Sequence, residues 1–135
     1  MIFSENRIKR AISNQQITIA PFDPNNHKST SLTLTLSNKF EYKEIEMNSS
    51  EFLLPAKESC IAFTHEKITL SSKVCAILSV RNSFARKGLI VLFGDTFCES
   101  NTNTHLSVMI YNPTNTDIKL TAGDQFIKII FLDVK

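Results

Sequence analysis

The stretch SLTLTLSNKF, Ser31 to Phe40, sets Leu32, Leu34 and Leu36 in strict alternation with Thr33 and Thr35. A period of two sends successive side chains to opposite faces of an extended chain. This reads as a half-buried β-strand with one polar face. The same period returns in ITIAPF, closed by Pro21, and in SCIAFTHEKITL, KVCAILSV, LIVLFG, HLSVMIYN, DIKLTA and QFIKIIFLDV. Turn formers separate these runs at Asn48-Ser49-Ser50, Ser71-Ser72, Lys87-Gly88, ESNTNT, Asn112-Pro113 and Ala122-Gly123-Asp124. One segment breaks the rule. In SENRIKRAISNQQ, Ser4 suits an N-cap, Glu5 the first turn, and Ile8, Ala11 and Ile12 share a helical face. That predicts a short helix over roughly residues 4–14. Many short strands behind one helix predict an all-β barrel or sandwich.

The length, 135 residues, suits a single domain, 1–135. DPNNHKSTS reads as a polar loop rather than a linker, and no internal repeat is present. Apolar residues at 42% and charged residues at 21% are globular values. A net charge of +2, with Lys and Arg scattered, gives no reason to expect direct nucleic-acid binding. Met1 to Asn6 is followed by no apolar signal region, and no run approaches the ~20 apolar residues of a membrane span. Cys60, Cys75 and Cys98 are odd in number and sit mostly in apolar runs, as free thiols in a reducing compartment would. The expectation is a cytoplasmic protein that makes no membrane contact. Ten Phe and no Trp point to a core of Phe, Ile, Leu and Val.

Among residues that carry chemistry, His27, His65 and His105 lie far apart and show no ligand-like spacing, so no metal site is expected. The zinc deaminase pattern H-x-E fails, because Glu66 directly follows His65. There is no Walker loop and no G-x-G-x-x-G. VRNSFARKG is more informative. It ends a strand with Arg81, Asn82 and Ser83 and brings Arg86 three residues after the serine. Guanidinium forks match phosphate oxygens bidentately, and hydroxyl and amide groups add neutral donors. If the segment after Arg81 coils into a turn of helix, its backbone N–H groups would also face an anion. An exposed basic turn has the same composition, and on the pattern alone that plainer reading is the favoured one.

VRNSFARKGLIV resembles the R-S-S-x-A-R-x-G-L segment of the dCTP deaminase and trimeric dUTPase superfamily. LSVMIYNPTNTDIKLTAGDQFIKIIF is similar to the family's long strand ending in Tyr-Asn, its polar hairpin and its last core strand. STSLTLTLSNKFEY resembles the family's early strand, and the opening helix with ITIAPF its N-terminus. The distance from Arg81 to Asn112 fits a dCTP deaminase without a gap, so the likeness is nearer to that branch and covers nearly the whole chain. It implies a β-clip, a distorted jelly-roll subunit, assembled as a homotrimer with nucleotide sites between subunits. Arg81, Ser83 and Arg86 match the positions that hold phosphates. Asn82 stands where the family usually has its first serine and can still donate a hydrogen bond.

The departures concern catalysis. The deaminase branch shuttles protons with a glutamate two residues before Tyr-Asn, and that position here is Met109. A thioether is neither a general acid nor a general base. The family's R-I-D-P-G-W becomes Phe97-Cys98-Glu99-Ser100-Asn101-Thr102, and the early strand's aspartate becomes Thr33. Glu99 keeps a carboxylate where both branches place an aspartate, the residue that activates water in dUTPases. A side chain one methylene longer displaces that group, which can cost ~100-fold in rate. The segment that closes over the nucleotide, glycine-rich in dUTPases, finds no counterpart before Lys135, so a site that excludes water poorly is expected.

Three readings follow. The first is a degenerate member that binds a nucleotide or nucleotide-derived signal as a sensor, sequestering protein or regulatory subunit, a role that suits a phage-encoded chain. The second is an active, divergent dUTP diphosphatase or dCTP deaminase, with Glu99 as the surviving acid. The third is a structural trimer or partner-binding scaffold. Arg81, Asn82, Ser83 and Arg86 are the candidate phosphate ligands, and Phe97, Glu99, Met109 and Gln125 the candidate pocket lining. No resident cofactor is expected, and Mg2+ only together with a bound polyphosphate.

Overall fold

The computed structural model describes residues 1–94 and 96–135. Helix α1, Glu5–Ser13, begins at Ser4, whose Oγ accepts from the Arg7 N–H at 3.2 Å. It buries Ile8 and Ala11, two of the three apolar positions that predicted it. Eleven strands follow: β1 (Ile17–Ala20), β2 (Leu32–Tyr42), β3 (Ile45–Asn48), β4 (Glu51–Leu54), β5 (Ser59–Leu70), β6 (Val74–Val80), β7 (Ile90–Leu92), β8 (Phe97–Cys98), β9 (Asn103–Tyr111), β10 (Ile118–Thr121) and β11 (Gln125–Asp133). A single turn of helix, α2 (Asn82–Ala85), lies between β6 and β7. The chain is mainly β, as the alternation requires.

One sheet runs β7-β9-β5-β2-β11-β6-β8, with β1 paired to β5 and β3 to β2, while β10 and β4 form a separate two-stranded ribbon. All pairings are antiparallel. The sheet encloses a core of Leu32, Leu34, Leu36, Phe40, Ile68, Phe126, Ile129 and Phe131, each at most 2% exposed. No helix among the described residues is long and apolar enough to cross a membrane.

The polar face expected for β2 is not solvated. Thr33 and Thr35 are 2% and 8% exposed. Residues of the segment Pro21 to Asn26 lie against Thr33 and Glu66 across a crevice of about 10 Å³. Burying a hydroxyl costs free energy unless it keeps a partner, and each threonine has one. Arg81 donates to Thr33 Oγ1 at 2.7 Å, and Thr35 donates to Glu66 through its N–H (2.9 Å) and Oγ1 (2.8 Å). Glu66 itself is 4% exposed and sits where β5 changes partner from β2 to β1. The β5–β9 register shifts between Phe63 and Lys67, and the Glu66 carboxylate accepts from the Thr35 N–H in place of a ladder carbonyl.

Three short strands had no clear sequence signal. β3 alternates over only four residues, β4 mixes polar and apolar residues without alternation, and β8 has two residues. The ESNTNT run is not all turn, because β9 already begins at its fifth residue, Asn103.

Candidate functional site

The corner after β6 is built from the VRNSFARKG stretch. Arg81 precedes α2, and its carbonyl accepts from the Phe84 and Ala85 N–H groups, both at 3.0 Å. Those two N–H groups are thereby committed within the turn. Phe84 is 1% exposed and meets Phe126 of β11 edge-on at 5.8 Å, which fixes the corner to the core. Gly88 ends it with φ +88, and a Cβ there would lie 3.0 Å from Thr114 Cγ2. Both the conformation and the contact call for glycine.

The corner's side chains divide in two. Arg81 is half-buried and turns inward to Thr33. A threonine hydroxyl accepts one hydrogen bond but leaves the guanidinium charge uncompensated, whereas an aspartate at that position would cancel it. No carboxylate pairs with Arg81 or Arg86 among the described residues. Asn82, Ser83 and Arg86 are exposed. Ser83 opens on a shallow cleft of about 270 Å³ shared with Lys87, Asp124 and Gln125. Lys87 Nζ lies 3.3 Å from Asp124 Oδ2, which also accepts from the Thr121 N–H at 3.1 Å. Gln125 donates to Asn26 Oδ1 at 2.9 Å and so ties the rim to the segment that lies against Thr33.

Met109 belongs to a different surface. In the β7–β9–β5–β2 register it lies opposite Leu92 and Ile61, and Ile61 opposite Glu41. Leu92 is 49% and Met109 40% exposed, so an apolar row stands open on this face. A cleft of about 160 Å³ beside it is lined by Glu41, Lys43, Glu44, Ile61 and Met109, with Cys60 at its base. Burial pushes the Cys60 thiol up to about 12, which keeps it protonated and unreactive near neutrality. No disulfide joins Cys60, Cys75 or Cys98 to one another.

Asn112, next to Tyr111 at the end of the same strand, is fully buried. Its Nδ2 donates to Leu54 O (3.1 Å) and Thr116 O (2.8 Å), and its Oδ1 accepts from Thr114 N (3.0 Å) and Thr114 Oγ1 (2.6 Å). The sequence marked Asn112-Pro113 as a turn and gave no hint that the amide bonds the hairpin to β4. Through Thr114 the same amide also positions the methyl group that abuts Gly88.

Glu99 is exposed at the turn after β8, where Asn101 takes φ 64 and Thr102 Oγ1 donates to Glu99 O at 2.6 Å. No cation pairs with its carboxylate among the described residues. Phe97, 39% exposed, lies opposite Ile77 on β6. The structure thus gathers Arg81, Asn82, Ser83 and Arg86 at one corner, with Gln125 across the cleft from Ser83. Met109 lines a separate cleft, and Glu99 and Phe97 stand apart from both.

The family described as dCTP deaminase-like matches residues 2–134. The chain is 27% identical over 135 residues to a probable deoxyuridine 5'-triphosphate nucleotidohydrolase of Sulfolobus islandicus rod-shaped virus 1, covering 97% of this chain and 83% of that protein. It is 25% identical over 122 residues to the dCTP deaminase of Pyrococcus furiosus, covering 87% of this chain and 76% of the relative. In fold it is similar to the 2'-deoxycytidine 5'-triphosphate deaminase of Agrobacterium tumefaciens, with TM-score 0.80 at 16% identity. That match takes in 96% of this chain and 46% of the other, so this chain spans less than half of that protein. A match over nearly all of its length places the chain in the dCTP deaminase-like family.

Proposed function

We propose that this protein binds a deoxynucleotide, or a signal derived from one, and does not deaminate it. It acts by sensing or sequestering the ligand. The observation that carries the reading is the open row Leu92–Met109–Ile61. Deamination at this face needs a group that accepts a proton from water and delivers one to the leaving amine. A thioether between two hydrocarbon side chains does neither.

Binding is supported by the opposite condition at the corner. Arg81 retains an uncompensated guanidinium braced by Thr33, Arg86 projects unpaired among the described residues, and Ser83 adds a hydroxyl beside a cleft. Charge-assisted bonds from such donors are the stronger class for phosphate oxygens. Membership of the dCTP deaminase-like family supports a homotrimer with its sites between protomers.

A divergent dUTP diphosphatase is the second reading. It is favoured by the exposed Glu99 carboxylate, held at a turn whose backbone Thr102 pins. Single-turnover reactions with dCTP and dUTP at protein in excess, read by chromatography, separate the two. The proposal expects both nucleotides back unchanged. Conversion of either, abolished by Glu99→Ala, overturns it.

A further inference from the structure

A cleft of about 390 Å³ opens on the outer side of the sheet where β2, β5 and β9 meet. Its lining includes Lys39, His65 and His105, the amides of Asn38 and Asn48, and the ring of Phe63. No carboxylate lines it among the described residues. It lies apart from the corner that carries Arg81 and Arg86, and neither Met109 nor Glu99 contributes to it. We propose that this cleft is a second ligand site, one that takes a small organic oxyanion on an apolar body and binds it together with a proton on His105.

The geometry of His105 carries the argument. Its Nδ1 lies 3.1 Å from Thr64 O. A carbonyl oxygen only accepts, so Nδ1 bears the hydrogen and Nε2 is left as the free ring nitrogen. A second proton at Nε2 then breaks no existing bond, because Thr64 O is satisfied in both charge states. The resulting imidazolium would present an N–H to an anion while its other side stays anchored.

The surrounding charges favour the anion as well. From β5, His65 shares the cleft and Lys67 lies directly opposite His105 in the register. From β2, Lys39 Nζ sits 4.4 Å from the Phe63 ring centroid and 3.5 Å from Glu46 Oε1 of β3. Lys39 and Glu46 offset each other as a pair, the Glu66 carboxylate is committed to Thr35, and Lys67 is the cation left opposite His105. Phe63 offers the apolar body a surface, and a volume near 390 Å³ exceeds what a bare sulfate or phosphate would fill.

The test uses benzenesulfonate, which stays ionised across the histidine range, so any pH dependence belongs to the protein. Arg86→Ala serves as the background, to remove the exposed guanidinium of the other site. Binding is followed by amide chemical shifts at about pH 5.5 and about pH 8. The expected result is a set of shifts at residues 38, 48, 63 and 105, with affinity at least about tenfold tighter at the lower pH, as uptake of one proton requires. His105→Gln should remove the pH dependence, while Lys39→Gln should weaken binding and keep it. Affinity that ignores pH, a pH dependence that survives in His105→Gln, shifts confined elsewhere, or equal binding of uncharged benzenesulfonamide would each overturn the proposal.

Discussion

The corner after β6 and the open face of β9 are held by the same hairpin yet have kept different kinds of chemistry. At the corner, Asn82, Ser83 and Arg86 face outward, Arg81 turns inward, and the supports are buried. Arg81 leans on Thr33, Phe84 on Phe126, and Gly88 fits under Thr114. On β9 the support is equally complete, with Asn112 bonding Leu54, Thr114 and Thr116, but the residue it presents is Met109. Frames that are equally well supported can therefore present polar donors at one place and an apolar side chain at another. Backbone geometry alone does not report activity.

Breaking the shared frame should have the largest effect. Asn112→Ala removes four side-chain hydrogen bonds and leaves buried carbonyl and N–H groups without partners. A loss of about 3 kcal/mol in urea denaturation is expected. A loss below about 1 kcal/mol would show that the amide is not what holds the hairpin.

A smaller effect, confined to the corner, is expected from Gly88→Ala. The φ of +88 and the 3.0 Å contact with Thr114, itself hydrogen-bonded to Asn112, leave the new methyl no easy accommodation. About 1–3 kcal/mol should be lost, together with nucleotide affinity, while the β9 amide spectrum stays in place.

The β9 side has its own signature in alkali. Cys60 has its thiol raised from 9.0 to about 12, so between those values the folded protein keeps a proton that the unfolded chain releases. Stability should then fall as pH rises through that window, by up to about 1.4 kcal/mol per pH unit. Cys60→Ala should flatten this dependence relative to wild type. An unchanged slope would show that the thiol is not desolvated. The smallest effect belongs to Met109→Leu, which swaps one half-exposed apolar side chain for another and should change stability by less than about 1 kcal/mol.

The sequence showed the strands plainly wherever alternation was long, as in β2, β5, β9 and β11, because a period of two over many residues is hard to produce otherwise. It could not show β3, β4 or β8, which are too short or too mixed to carry a period. It misjudged the polar side of β2, since the segment against it lies more than five residues upstream of Thr33 and nothing local announces the contact. For the site, the Arg-Asn-Ser corner and the methionine on β9 were visible as residue types. Three features needed the third dimension: the inward turn of Arg81, the pairing of Lys87 with Asp124, and the role of Asn112.

On the proposed reading, the anion grip survives while the proton carrier does not. Calorimetric titration of wild type, Arg86→Ala and Met109→Leu with dUTP and dCTP tests it most directly. Saturable binding to wild type, weakened at least about tenfold by Arg86→Ala and untouched by Met109→Leu, is the predicted result. Absence of heat with either nucleotide, or binding indifferent to Arg86, would contradict it.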